Sequence, residues 1–229
     1  GSSGLNAAVG VEGIKGNSTM EMTGGTITGN TAEYGGILVG TYSLNYTRSE
    51  NWSNPAYLYS TGTLKLNGGT ISNNTAATLG GGIAVNGTGK LIMDGGTISG
   101  NKAPFGGGIG VNDYLTSTDR GNSPEARWRS FFPAAATING GLITGNEATM
   151  TAVTSQISDP NAENGVGGGL YVASMEVYVN GGQFTNNTAG KQGGGIYVAS
   201  VPYVLKMGKT LVTENTATKI GGGLWLCPT

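Results

Sequence analysis

Residues 68–85 read GGTISNNTAATLGGGIAV, two glycine clusters set beside the short alternating stretches TIS and IAV. Neither stretch is long enough to bury a face alone, so each must pack on something else. Aligned on Asn74, the first half returns as GGTITGNTA (24–32), GGTISGNKA (95–103), GGLITGNEA (140–148), GGQFTNNTA (181–189) and GKTLVTENTA (208–217). The second half returns as GGILVG (35–40), GGGIGV (106–111), GGGLYV (167–172), GGGIYV (193–198) and GGGLWL (221–226). A third apolar stretch precedes most copies, as in LKLN (64–67), LIMD (91–94), VYVN (177–180) and LKM (205–207).

Asn74 to Asn101 spans 27 residues and Asn187 to Asn215 spans 28, so the unit is three short strands per 27 or 28 residues. A period of that size signals a solenoid, whose repeats bury their apolar faces only by stacking. Alternation within the strands points Ile27, Ile71, Ile98, Ile143, Phe184 and Val212 inward and the neighbouring Thr and Ser outward. The fold class is therefore all-β: a parallel β-helix of about seven coils, each of three short strands, stacked about 4.8 Å apart. The count includes a degenerate first coil around residues 10–22.

Glycine at the corners supplies positive φ and close backbone approach. One polar residue recurs in every copy: Asn30, Asn74, Asn101, Asn146, Asn187 and Asn215. Asparagine tolerates the left-handed conformation at a corner, and amides stacked once per coil can hydrogen-bond along the axis. These six are read as a structural ladder.

IxxN followed by GGGI resembles the paired FxxN and GGA(I/L/V) repeats of the polymorphic outer membrane proteins and related bacterial β-helix adhesins. Phe184-Thr185-Asn186-Asn187 matches the first motif literally, while the other copies carry Ile or Val for Phe and Gly for the Ala. The resemblance implies a right-handed helix on a bacterial surface protein or a secreted one. The whole of 1–229 reads as one β-helix domain from a larger protein with further domains.

Composition narrows the function. Twelve basic and thirteen acidic residues leave a net charge of −1, so no global field favours nucleic acid. No apolar run approaches the roughly 18 residues of a membrane span. A single cysteine, Cys227, and no histidine exclude disulfide frameworks, His-ligated zinc and His-dependent triads. Neither a metal nor a cofactor is expected.

Three insertions interrupt the repeat, at 40–62, 112–134 and 149–165, and insertions in a solenoid become surface loops. The first carries Tyr42, Tyr46, Trp52, Tyr57 and Tyr59; the second carries Tyr114, Arg120, Arg127, Trp128 and Arg129. Both leave just after equivalent valines, Val39 and Val111, two coils apart. Their roots are expected about 10 Å apart on one edge, with the short turn 86–90 as the floor of a shallow groove. Aromatic rings beside Arg and Asn suit sugar recognition, and the same rings can instead pack on each other.

The expected function is a surface or secreted adhesin segment that binds a glycan or a host or neighbour-cell surface protein. One alternative is a polysaccharide-active hydrolase or lyase, with Glu50 facing Asp113, Asp119 or Glu125 across the groove. Asp94, Asp159 and Glu163 read as turn or loop charges. Another alternative is a structural stalk. Ice binding through outward Thr-x-Thr ladders is countered by Leu142, Gln183 and Leu211. Trp225 and Cys227 lie at an open solenoid end, where covering sequence or a neighbouring molecule is expected.

Overall fold

A computed structural model of the chain describes residues 7–13, 16–40, 61–113, 134–152, 163–174, 176–199 and 205–227. Every strand pairing among them is parallel, and they form four sheets, A with seven strands and B, C and D with six each. The first coil is β1 (Val9–Val11, sheet A), β2 (Ser18–Met22, B), β3 (Thr26–Thr28, C) and β4 (Thr31–Ala32, D). The chain repeats this order upward to β25 (Leu224–Leu226), which opens a seventh coil in sheet A. Connections between parallel strands of one sheet follow the right-handed rule, and the chain is a right-handed parallel β-helix.

Each coil thus has four strands, one more than the three expected. The fourth is a two-residue strand ending in Ala that follows the ladder asparagine, Thr-Ala as at Thr75–Ala76 and Thr188–Ala189 in four coils and Lys102–Ala103 or Glu147–Ala148 in the other two. Two residues are too short for alternation to register in a sequence. In the stack their inward methyls, Ala76, Ala103, Ala148 and Ala189, are all buried.

The inner columns follow the repeat. Ile27, Ile71, Ile98, Ile143, Phe184 and Val212 lie in one register of sheet C. Sheet A contributes Ile37, Ile83, Ile109, Leu170 and Ile196 to the same core. Sheet B contributes Leu64, Leu91, Ala136 and Val177. Burying a side chain of this size stabilises by about 1.5–3 kcal/mol relative to exposure. Because strands stack on their own equivalents, one substitution disturbs two interfaces.

The six asparagines form one continuous ladder. Asn101 Oδ1 accepts from both the backbone N–H and the Nδ2 of Asn74, each at 3.0 Å. Asn101 Nδ2 donates to Asn146 Oδ1 and to the Ile71 carbonyl, again at 3.0 Å. The pattern runs from Asn30 through Asn215. The left-handed corner does not fall on these asparagines, as the sequence reading had it, but on the residue before each: Gly29, Asn73, Gly100, Gly145, Asn186 and Glu214 have φ between 53° and 70°. That turn frees the next residue to aim its amide along the axis. The third glycine of the GGG cluster at 106–108 has a steric cause. A Cβ at Gly108 would lie 2.7 Å from the Gly169 carbonyl oxygen and 3.0 Å from Asn146 Nδ2.

Sheet A is covered on both sides. The residue before each GGG cluster folds back over its outer face, and Leu79, Phe105, Val166, Gln192 and Ile220 form a fifth stacked column of single bridges. Beneath them lies the outward column Leu38, Ala84, Gly110, Tyr171, Tyr197 and Trp225. Tyr171 and Tyr197 stack at 5.8 Å between centroids, and Phe105 meets Tyr171 edge-on at 5.3 Å. Strand alternation alone would place both tyrosines in solvent; they are instead buried in a second apolar cluster. The apolar residue recurring before GGG, as at Leu79, Phe105, Val166 and Ile220, was the available signal.

Candidate functional site: the loop edge

Val39, Val85 and Val111 are successive partners in sheet A. The first insertion leaves after Gly40 and the second after Asp113, so their exits lie two strand spacings apart, about 10 Å. They also return together, because Thr63, Lys90 and Ala135 are successive partners in sheet B. Both insertions therefore hang from the corner between sheets A and B, in coils two and four. The third leaves beyond Ala148, from sheet D, and belongs to a different corner.

Each root is clamped by backbone and short side chains. At the first, Gly40 N–H donates to the Val11 carbonyl at 2.9 Å. Asn17 Oδ1 accepts from Thr61 N–H at 2.9 Å and from its hydroxyl at 3.2 Å. At the second, Asp113 N–H donates to the Ala173 carbonyl at 2.8 Å, and Asp113 Oδ1 accepts from Ala134 N–H at 2.9 Å. Ser174 Oγ donates to the Ala134 carbonyl.

The third coil passes between the two roots with a minimal turn. Gly89 N–H donates to the Asn86 carbonyl at 3.0 Å, and Asn112 Nδ2 donates to Asn86 Oδ1 at 3.2 Å. This turn sits directly on the first root: a Cβ at Gly40 would lie 2.0 Å from the Asn86 carbonyl oxygen. Ala135 N–H then ties the second root to the Gly89 carbonyl at 2.9 Å. The two roots are coupled through one tight turn, with the Lys90 side chain exposed beside it.

Tyr42, Tyr46, Trp52, Tyr57, Tyr59, Tyr114, Arg120, Arg127, Trp128 and Arg129 lie outside the described residues. So do Glu50, Asp119, Glu125 and Asp159. Asp113, the acid at the root itself, is only 8% exposed and closes its loop. Asp94 Oδ1 accepts from Asn139 Nδ2 at 2.7 Å, and Asn139 Oδ1 accepts from Asn180 Nδ2 at 2.8 Å. This is a second, exposed ladder at the turn before sheet C. Glu163 pairs with Lys191 at 2.6 Å and Lys219 at 3.8 Å. The hydrogen bond from Lys191 and the charges of both lysines hold its carboxyl below the usual range. Among the described residues no cluster of His, Cys, Asp or Glu has the makings of a metal site.

Sheet C carries one outward hydroxyl file intact through six coils: Thr28, Ser72, Ser99, Thr144, Thr185 and Thr213. Some hydroxyls bond to their neighbours, Ser72 to Thr28 and Thr185 to Thr144, both at 3.0 Å. The parallel file breaks at Leu142, Gln183 and Leu211, so no two-file Thr array spans the face.

Fold and site together define a parallel β-helix in which two long insertions are rooted two strand spacings apart on one edge. Residues 181–199 match the Chlamydia polymorphic membrane protein repeat. That repeat is one of bacterial outer-membrane, cell-surface proteins, and the matched segment includes Phe184, the ladder residue Asn187 and the GGGIYV strand. No curated protein and no solved structure matches the chain.

Proposed function

We propose that this chain is a ligand-presenting segment of a surface or secreted bacterial adhesin, and that its ligand, a glycan or a protein of a host or neighbouring cell, binds at the edge between sheets A and B. One observation carries the reading: two insertions rich in Tyr, Trp and Arg are rooted two strand spacings apart and coupled through the turn at residues 86–89. A stacked solenoid holds those roots at fixed separation, which lowers the ordering cost of binding. Aromatic faces flanked by guanidinium groups fit pyranose rings and their hydroxyls.

Catalysis has less support. Glycoside hydrolysis needs two carboxyls flanking the bond, and Asp113 is already committed to the Ala134 amide. The deciding experiment is a broad glycan array probed with the chain and with a Trp52→Ala/Trp128→Ala variant whose fold is verified by circular dichroism. Binding by the parent and its loss in the variant support a loop-edge carbohydrate site. Equal binding by both sinks that site. A lack of binding by either excludes the glycan ligand and leaves a protein ligand, tested next by capture on host-cell surfaces.

A further inference from the structure

Three lysines of the helix stand beside an acid: Lys102 meets Glu147 at 2.8 Å, and Lys191 and Lys219 meet Glu163 at 2.6 Å and 3.8 Å. The first of these pairs joins cross-strand partners in sheet D. Lys65 has the same opportunity, because Glu21 is its cross-strand partner in sheet B. That carboxylate is instead turned to Asn67, whose Nδ2 donates to Glu21 Oε1 at 2.7 Å. Lys90 lies between Thr63 and Ala135, which carry no charge. Among the described residues neither Lys65 nor Lys90 forms an ion pair, and both side chains are exposed.

Both lysines lie where the insertions return. Gly62 and Ala135 begin the sheet B strands that follow the first and second insertions, and Lys90 holds the register position between Thr63 and Ala135, about 4.8 Å from each. Lys65 stands two residues beyond Thr63, about 8 Å from Lys90. Alternate residues, Leu64, Leu91 and Ala136 among them, are buried, so Thr63, Lys65, Lys90, Ile92, Ala135 and Thr137 face outward. Over these three coils the outer face of sheet B carries two positive charges and no negative one. Glu21 and Glu176 bound the strip in the coils below and above, and Asp113 at the second root is occupied by the Ala134 amide. The whole chain has a net charge of −1, so the positive field here is local.

We infer that Lys65 and Lys90 form an anion subsite of the loop edge, and that the ligand is an acidic glycan whose carboxylate or sulfate groups face this strip of sheet B. The inference rests on the glycan reading of that edge and names its ligand class. A lysine ammonium is a compact charge with three donors on a flexible stem, so it takes an oxygen-rich anion without demanding one orientation. Two of them about 8 Å apart can hold substituents on neighbouring sugars. The strands beneath are fixed by stacking, so binding orders only the two side chains and the glycan.

The test is binding of three polymers that share one backbone, dextran sulfate, carboxymethyl dextran and unmodified dextran, followed by biolayer interferometry on variants whose fold is verified by circular dichroism. The chain is expected to bind a charged dextran and not the unmodified one, and the tighter of the two charged polymers distinguishes sulfate from carboxylate. Lys65→Gln and Lys90→Gln should each weaken binding about threefold and together about tenfold, added salt should weaken binding by the parent, and Lys65→Arg/Lys90→Arg should retain it. Lys102→Gln/Lys219→Gln removes the same charge away from sheet B and should leave binding unchanged. Equal binding of unmodified dextran, no binding of either charged polymer, or an equal loss in that charge-matched control overturns the inference. Trp52→Ala/Trp128→Ala separates this subsite from the edge as a whole. If that variant loses binding that Lys65→Gln/Lys90→Gln keeps, the loop-edge site stands and the anion subsite fails; the reverse result keeps the anion subsite and sinks the aromatic edge.

Discussion

Replacing Asn101 by alanine removes the centre of the amide ladder. The side chain makes four hydrogen bonds: two accepted from Asn74, one donated to Asn146 and one to the Ile71 carbonyl. Asn74, Asn101 and Asn146 are all at most 1% exposed, so water cannot take over the orphaned groups. At about 1 kcal/mol per net bond, and with the buried Asn74 N–H left unsatisfied, the expected cost is about 4–6 kcal/mol. Asn30→Ala is the control. Its side chain only donates, to Asn74 Oδ1 at 2.8 Å and the Thr28 carbonyl at 3.2 Å, at the partly exposed end of the ladder, for an expected cost of about 1 kcal/mol. Urea unfolding followed by circular dichroism and by tryptophan fluorescence measures both, and coincident transitions license the two-state treatment. If Asn101→Ala costs no more than Asn30→Ala, the ladder is not cooperative and the reasoning is wrong.

Gly10 and Gly110 share one outward column, yet a Cβ at Gly10 meets nothing nearer than Glu12 Oε1 at 3.5 Å, while one at Gly110 falls 2.4 Å from Leu79 Cδ1. Gly110→Ala should therefore destabilise by about 1–3 kcal/mol and Gly10→Ala by much less, as read from thermal midpoints. Glu214 holds φ at 55°, where the other coils use Gly or Asn. Glu214→Gly should stabilise by up to about 1 kcal/mol, because left-handed strain exceeds the gain in unfolded-chain entropy; a lower melting temperature would contradict it. Glu163 has a lowered folded-state pKa, so its contribution is present above the ordinary carboxylate range and is lost as pH falls through the folded value. In Glu163→Gln that small acid-sensitive component should vanish from the pH–stability profile, with salt reducing it in the parent.

The spacing of Asn74, Asn101, Asn187 and Asn215, with alternation around Ile71 and Phe184, was enough to specify stacked parallel coils and the inner core. A repeat that pairs only with itself encodes register in its period, so no long-range information is needed. The same logic placed the exits of two insertions at Val39 and Val111. What lay beyond the sequence were effects of stacking itself. Thr-Ala pairs are too short to announce a strand, and become one only when neighbouring coils present partners. Tyr171 and Tyr197 alternate outward and are nonetheless buried, because Phe105 and Val166 fold over them from the preceding segment of other coils. Asp113 reads as an acid available for catalysis until the root geometry hands its carboxylate to the Ala134 amide. Periodicity is a local property and is written along the chain; burial and hydrogen-bond assignment at the corners depend on which segments meet across coils, and only the tertiary structure decides that.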